Sequence, residues 1–67
     1  MAATSYGSGG TIRYVDYNGE VHERWIYWHV TGRETWRQMV AKAERAAKFQ
    51  LGAENVKRVI RVNGNAA

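Results

Sequence analysis

The sequence predicts a single small α+β domain in which a three-stranded sheet packs against one helix. Three observations support this fold class. Two runs rich in β-branched and aromatic residues flank Asn18-Gly19, a stretch of helix-forming residues follows, and an alternating apolar run lies near the end of the chain. The order of elements is therefore β-β-α-β, and a chain of 67 residues has room for one hydrophobic core.

The segment TIRYVDYNGEVHERWIYWHV predicts a β-hairpin with strands at about 11–17 and 20–30. Asn-Gly is the dipeptide that best tolerates positive φ at both central positions of a two-residue type I′ turn. Such a turn at Asn18-Gly19 places Arg13 directly opposite Arg24. The predicted register therefore determines which side chains of the two strands share a face.

The segment TWRQMVAKAERAAKFQLG consists of strong helix formers and ends in Gly52, which is typical of a helix stop. Thr31 and Glu34 precede it with the spacing of a capping box. Phe49 falls on the polar side of the predicted helix, where the sequence offers no explanation for it. The apolar side contains alanines that would let the helix approach a sheet closely, and it consists of Trp36, Met39, Val40, Ala43, Ala46, Ala47, Gln50 and Leu51.

The segment NVKRVIRVNG predicts a third strand at about 56–62. Alternation places Val56, Arg58, Ile60 and Val62 on one face and Lys57, Val59 and Arg61 on the other. A helix that returns from the second strand delivers the third strand antiparallel to the first, so we expect the strand order 2-1-3. Residues 1–10 are interpreted as a flexible Gly/Ser-rich leader, residues 11–63 as the domain, and residues 64–67 as a frayed tail.

One helix covers one face of so small a sheet, and the other face stays open. Two opposed arginines, Arg13 and Arg24, are costly beneath a helix. We therefore expect the following residues on the covered face: Ile12, Tyr14, Val21, Trp25 and Tyr27. A bulge in the long second strand would exchange the two faces of that strand. The open face is then expected to carry a basic and aromatic set: Arg13, Tyr17, Arg24, Trp28, Lys57 and Arg61.

The chain has ten Lys and Arg residues against six Asp and Glu residues, which gives a formal charge of +4. Cationic side chains neutralise phosphates, and exposed rings stack on bases. The sequence therefore predicts a non-catalytic nucleic-acid-binding protein, DNA-binding or RNA-binding, with single-stranded and duplex targets both open. A second basic surface on the helix is more commonly a solvated polar face, and it consists of Arg37, Lys42, Arg45 and Lys48.

The alternative is a protein-protein interaction module, a homodimer, or a small inhibitor or accessory protein. The second predicted strand is long, lies at a sheet edge and contains no proline, so it can add a strand from a partner or from a second copy. The exposed aromatic residues are of the types that anchor protein interfaces.

Enzymatic function is the least favoured class, because no nucleophile accompanies the histidines and the chain contains no cysteine. His22 and His29 fall on opposite faces of a regular strand, so they do not share a metal. We expect no catalytic residues, no metal and no cofactor. No apolar run has the length of a membrane span and the start is not a secretory signal, so a cytoplasmic protein with no membrane partner is expected.

Overall fold

The computed structural model describes residues 9–67, and most of the predicted leader, residues 1–8, lies outside the described residues. The described chain forms one antiparallel sheet in the order β2-β1-β3-β4 with a single helix across one face. The elements are β1 (Gly10–Val15), β2 (Val21–Ile26), α1 (Trp36–Leu51), a 3₁₀ turn (Ala53–Asn55), β3 (Arg58–Val62) and β4 (Asn65–Ala66). The predicted α+β class and the order of the first three strands are confirmed, whereas the sheet has four strands rather than three.

The fourth strand follows a tight turn at Asn63-Gly64. Asn63 has φ 50° and Gly64 has φ 84°, and Val62 pairs with Asn65. Positive φ at both central residues defines the two-residue type I′ hairpin for which Asn-Gly is best suited. The predicted frayed tail is therefore paired with β3 in this structure.

The hairpin between β1 and β2 has a different loop from the one predicted. Val15 pairs with Val21, and Gly19 donates its amide to the Asp16 carbonyl at 3.1 Å. Gly19 has φ 86°, whereas Asn18 does not have positive φ. This is a three-residue loop, a type I turn followed by a glycine bulge, rather than a type I′ turn.

The longer loop shifts the register of β2 by one residue, so Arg13 lies opposite Glu23 instead of Arg24. A shift of one residue moves every side chain of a strand to the other face. The expectation for β1 is confirmed, since Ile12 and Tyr14 are buried, but the expectation for β2 is wrong. Ile26 and the following Trp28 are buried, whereas Trp25 and Tyr27 are exposed.

Helix α1 begins one turn later than the predicted capping box. Thr35 is the N-cap: its hydroxyl accepts the Gln38 amide at 3.2 Å, and the Gln38 side chain accepts the Thr35 amide at 2.9 Å. Glu34 instead accepts amides from Thr31 and Gly32 in the preceding loop. The helix ends at Gly52, whose φ of 98° favours glycine.

Strand β3 contains a bulge opposite β1. Arg13 pairs with Arg61 and Tyr14 pairs with Val59, so Ile60 is the additional residue. Because of this bulge, Val59 and Val62 both face the helix, and the strict alternation predicted for the strand is wrong. Ile60 is half-buried and does not pack against the core.

The core lies between the sheet and α1. Ala43 and Ala47 are fully buried, and their small side chains let the helix approach the sheet. No helix within residues 9–67 is long and apolar enough to cross a bilayer. The buried residues are Ile12, Tyr14, Ile26, Trp28, Ala43, Ala47, Val56, Val59 and Val62.

Candidate functional site

The face of the sheet opposite α1 carries cationic and aromatic side chains on an apolar base. Alternation along β1 buries Ile12 and Tyr14 on the helix side and directs Arg13 to the open side. Pairing then places Glu23 and Arg61 beside Arg13, and Val21 and Arg58 beside Val15. We define the open face by these side chains: Arg13, Val15, Val21, Glu23, Trp25, Arg58, Ile60 and Arg61.

The charge on the open face is predominantly positive. Arg13 lies directly opposite Arg61 across the β1–β3 pair; the Arg13 guanidinium lies beside Glu23, and that of Arg61 donates to the Gly64 carbonyl. Glu23, the acid on this face, lies 3.5 Å from the Arg13 guanidinium (Oε2 to Nη2), and both side chains are largely exposed. An exposed pair of this kind contributes at most about 1 kcal/mol, so three arginines against one carboxylate leave a net attraction for anions.

Trp25 provides the aromatic component of the open face. Its side chain is 60% exposed. Trp25 pairs with Thr11, and the next cross-strand pair on this face is that of Arg13 with Glu23. A flat ring beside guanidinium groups presents a π-face and positive charge to the same ligand. Sequence reasoning missed Trp25 and Arg58 as candidate residues because it placed both on the covered face.

Two of the predicted binding residues are not on the open face. Trp28 is 4% exposed and its indole Nε1 donates to the Met39 sulfur at 3.0 Å, so it belongs to the core and not to a stacking surface. Arg24 pairs with Ile12 and is on the helix side, where its guanidinium donates to the Glu23 carbonyl at 2.9 Å. The register shift of β2 explains both differences.

The remaining predicted residues are exposed at the surface. Arg13 and Arg61 are on the open face as predicted, and the Arg61 guanidinium donates to the Gly64 carbonyl at 3.0 Å. Tyr17 is exposed in the β1–β2 loop, and Lys57 is exposed just before β3, where its amide donates to the Val15 carbonyl. The structure thus brings Arg13 and Arg61 together and leaves Tyr17 at one end of the sheet.

The basic helix surface is partly neutralised within the domain. Lys42 forms an ion pair with Glu34, and Lys48 lies 3.6 Å from Glu44. The Lys42 ammonium and the loop amides hold the pKa of Glu34 well below its usual range. Arg37 and Arg45 make no ion pair within residues 9–67, so they carry the uncompensated charge of this surface.

Asp16, Glu20 and His22 form a cluster at the hairpin loop whose ligand atoms lie within 4.8 Å of one another. Carboxylates and imidazole are metal ligands, so these residues could hold a cation. In the structure these residues bond to one another and to the loop: Asp16 accepts the Asn18 and Glu20 amides and bonds His22 Nε2 at 2.8 Å. The His22 contact and the Glu20 amide lower the Asp16 pKa, and the cluster stabilises the loop that sets the register.

The outer edge of the sheet at β2 is shorter than predicted and is partly occupied. The strand spans six residues, and beyond it the Gln50 side chain bonds both backbone groups of Tyr27, at 3.4 Å to the amide and 2.6 Å to the carbonyl. A side-chain amide in this position mimics a neighbouring strand. A partner strand could therefore pair with β2, but Gln50 already occupies the backbone groups of Tyr27 that follow it.

The described chain is thus a two-layer α+β domain with one covered and one basic, aromatic sheet face. Comparison with known proteins finds no matching family model, no matching curated protein and no matching solved structure.

Proposed function

We propose that the chain is a non-catalytic nucleic-acid-binding protein that uses the open face of its sheet. Arg13, Arg58 and Arg61 bind backbone phosphates, and Trp25 stacks on an exposed base. The observation that carries the proposal is the juxtaposition of Arg13 with Arg61 next to an exposed tryptophan, on the face that α1 leaves uncovered.

The like-charge pair supports this proposal energetically. Two arginines on directly opposed positions place their positive charges on the same part of the sheet, and both attract a bound polyanion. Each phosphate that is neutralised also releases counterions, which favours binding at low salt. A single strand offers both phosphates and unpaired bases, so it can use the arginines and Trp25 together.

The proposal is tested by fluorescence anisotropy with labelled single-stranded and duplex oligonucleotides at several salt concentrations. Arg58→Glu should weaken binding to both and lower the salt dependence of single-strand binding by about 0.7 in the slope of log K against log salt. Trp25→Ala should weaken single-strand binding by about tenfold and duplex binding much less, since stacking requires an unpaired base.

The matched control is Arg45→Glu, which makes the same charge change on the helix side of the domain. Binding should respond far less to this variant than to Arg58→Glu. Equal loss in the two variants indicates a nonspecific charge effect, and no loss in Trp25→Ala or Arg58→Glu contradicts the open face as the binding surface.

A second candidate is self-association or binding of a protein partner through the same face. Val21 is exposed opposite half-buried Val15, half-buried Ile60 lies on the neighbouring strand, and Trp25 lies on the same face beyond Glu23. A dimer through this surface predicts a concentration-dependent mass that hardly responds to salt. Sedimentation at two salt concentrations distinguishes it from the nucleic-acid proposal, which predicts a monomer whose oligonucleotide binding is lost at high salt.

A further inference from the structure

A groove runs along the side of α1 that faces the segment between β2 and the helix. Its apolar end has a volume of about 670 Å³ and is lined by Tyr27, His29, Ala46 and Phe49. The adjoining polar end, of about 490 Å³, contains Arg33, and both ends share Lys42 and Arg45. The groove lies on the helix side of the domain, away from the open face.

Phe49 is the least expected residue of this groove. Its ring is 88% exposed although Phe49 lies within α1, in the last turn of the helix. The ring contributes nothing to the core, and full exposure of a phenylalanine forgoes about 2 kcal/mol of burial. Together with half-exposed Tyr27 and the methyl group of Ala46, it forms an apolar surface that a ligand can cover.

The wall of the groove is held in place by three side chains. Gln50 bonds the backbone of Tyr27, Lys42 donates to the His29 carbonyl at 3.2 Å, and Glu34 accepts the amides of Thr31 and Gly32. These contacts fix the segment at both ends and in the middle. A groove that is already formed saves a ligand the entropic cost of ordering it.

The rim of the groove is positively charged. Glu34, the acidic residue of the lining, is neutralised by Lys42, whereas Arg33 and Arg45 make no ion pair with any residue of the described chain. An occupant that complements this rim carries carboxylates, and an occupant that complements Phe49 carries an apolar side chain.

We propose that this groove docks an acidic peptide segment of a partner protein, with an apolar anchor against Phe49 and carboxylates beside Arg33 and Arg45. Along the helix, Arg45 and Phe49 are separated by about 6 Å. An extended chain covers that length in about two residues, which sets the spacing between the anchor and the carboxylate beside Arg45. The proposal does not depend on nucleic-acid binding by the open face.

The test is selection from a random peptide library displayed on phage, with the intact chain as bait. The enriched peptides should combine an aromatic or leucine residue with Asp or Glu about two residues away. In anisotropy measurements with the strongest peptide, Phe49→Ala and Arg45→Glu should each weaken binding about tenfold or more. The matched control, Arg58→Glu, should leave peptide binding unchanged because it lies on the opposite face.

Thermal unfolding distinguishes lost binding from lost folding. Phe49→Ala should unfold like the parent, since the ring is exposed. The proposal is overturned if no peptide is enriched, if the peptides lack acidic residues, or if neither groove variant weakens binding. It is also overturned if the groove variants reduce oligonucleotide binding instead, which would assign the groove to nucleic acid.

Discussion

Replacement of Trp28 by alanine should remove a large part of the protein's stability. The indole is 4% exposed and donates to the Met39 sulfur, so the substitution removes a buried ring and leaves a cavity. Such a change costs about 3–5 kcal/mol. A domain of this length has about 3–10 kcal/mol of stability in total. The variant should therefore lose between about a third and all of the protein's stability.

Trp25→Ala is the matched control, because it removes the same kind of ring three residues earlier in the chain, at a site that is 60% exposed. It should cost less than about 1 kcal/mol. Urea unfolding followed by far-ultraviolet circular dichroism compares both variants without relying on tryptophan fluorescence. If Trp28→Ala is as stable as the parent while Trp25→Ala unfolds, the register of β2 described above is wrong, and the strand has the other register.

Three further substitutions test local features of the fold by urea unfolding. Thr35→Ala should lower the stability by about 1 kcal/mol through loss of the N-cap, and an unchanged midpoint would argue against the helix start described above. Since the folded pKa of Glu34 lies below its unfolded value, its contribution is complete above about pH 4.3 and is lost on further acidification. Glu34→Gln should thus show a flatter loss of stability between about pH 5 and 2, whereas a profile like the parent's would contradict the contact with Lys42. Gly9→Ala should cost about 1–3 kcal/mol, because Gly9 has φ 83° and its added methyl group would collide with the Ile26 carbonyl; a neutral effect would show that Gly9 does not pack against β2.

The helix and the order of the elements could be predicted because strong local signals agree. Residues 36–51 have high helix propensity and an apolar side on which Ala43 and Ala47 are indeed buried. Glycine at position 52 marks the end. The capping box predicted at Thr31 is wrong: Thr31 and Thr35 both stand three residues before a Glu or Gln, and the structure has Thr35 as the N-cap.

The register of β2 could not be predicted from the Asn-Gly signal alone, because the chain contains this dipeptide twice. The type I′ turn forms at Asn63-Gly64, and Asn18-Gly19 belongs to a longer loop. Asp16 was the available signal, since Asp at the first and Gly at the fourth position are typical of a type I turn. Its carboxylate accepts two loop amides and bonds His22, which stabilises that loop.

The faces of β3 depended on a bulge that leaves no trace in the alternation of its residues. Ile60 is the inserted residue, and because of it Arg58 and Arg61 both lie on the open face. The basic, aromatic character of the open face nevertheless follows from the sequence. Trp25 and Trp28 differ by an odd number of positions, so either register buries one tryptophan and exposes the other.

The central claim, that the open face binds nucleic acid, is tested most directly by the tryptophan indole resonances in a ¹H–¹⁵N spectrum. The chain has three tryptophans, one on the open face, one in the core and Trp36, which bonds the Ala66 carbonyl at 3.0 Å. Titration with a short single-stranded oligonucleotide at low salt should shift the Trp25 indole and leave that of Trp28 in place. A Trp25 resonance that does not move while the oligonucleotide is bound would contradict the claim.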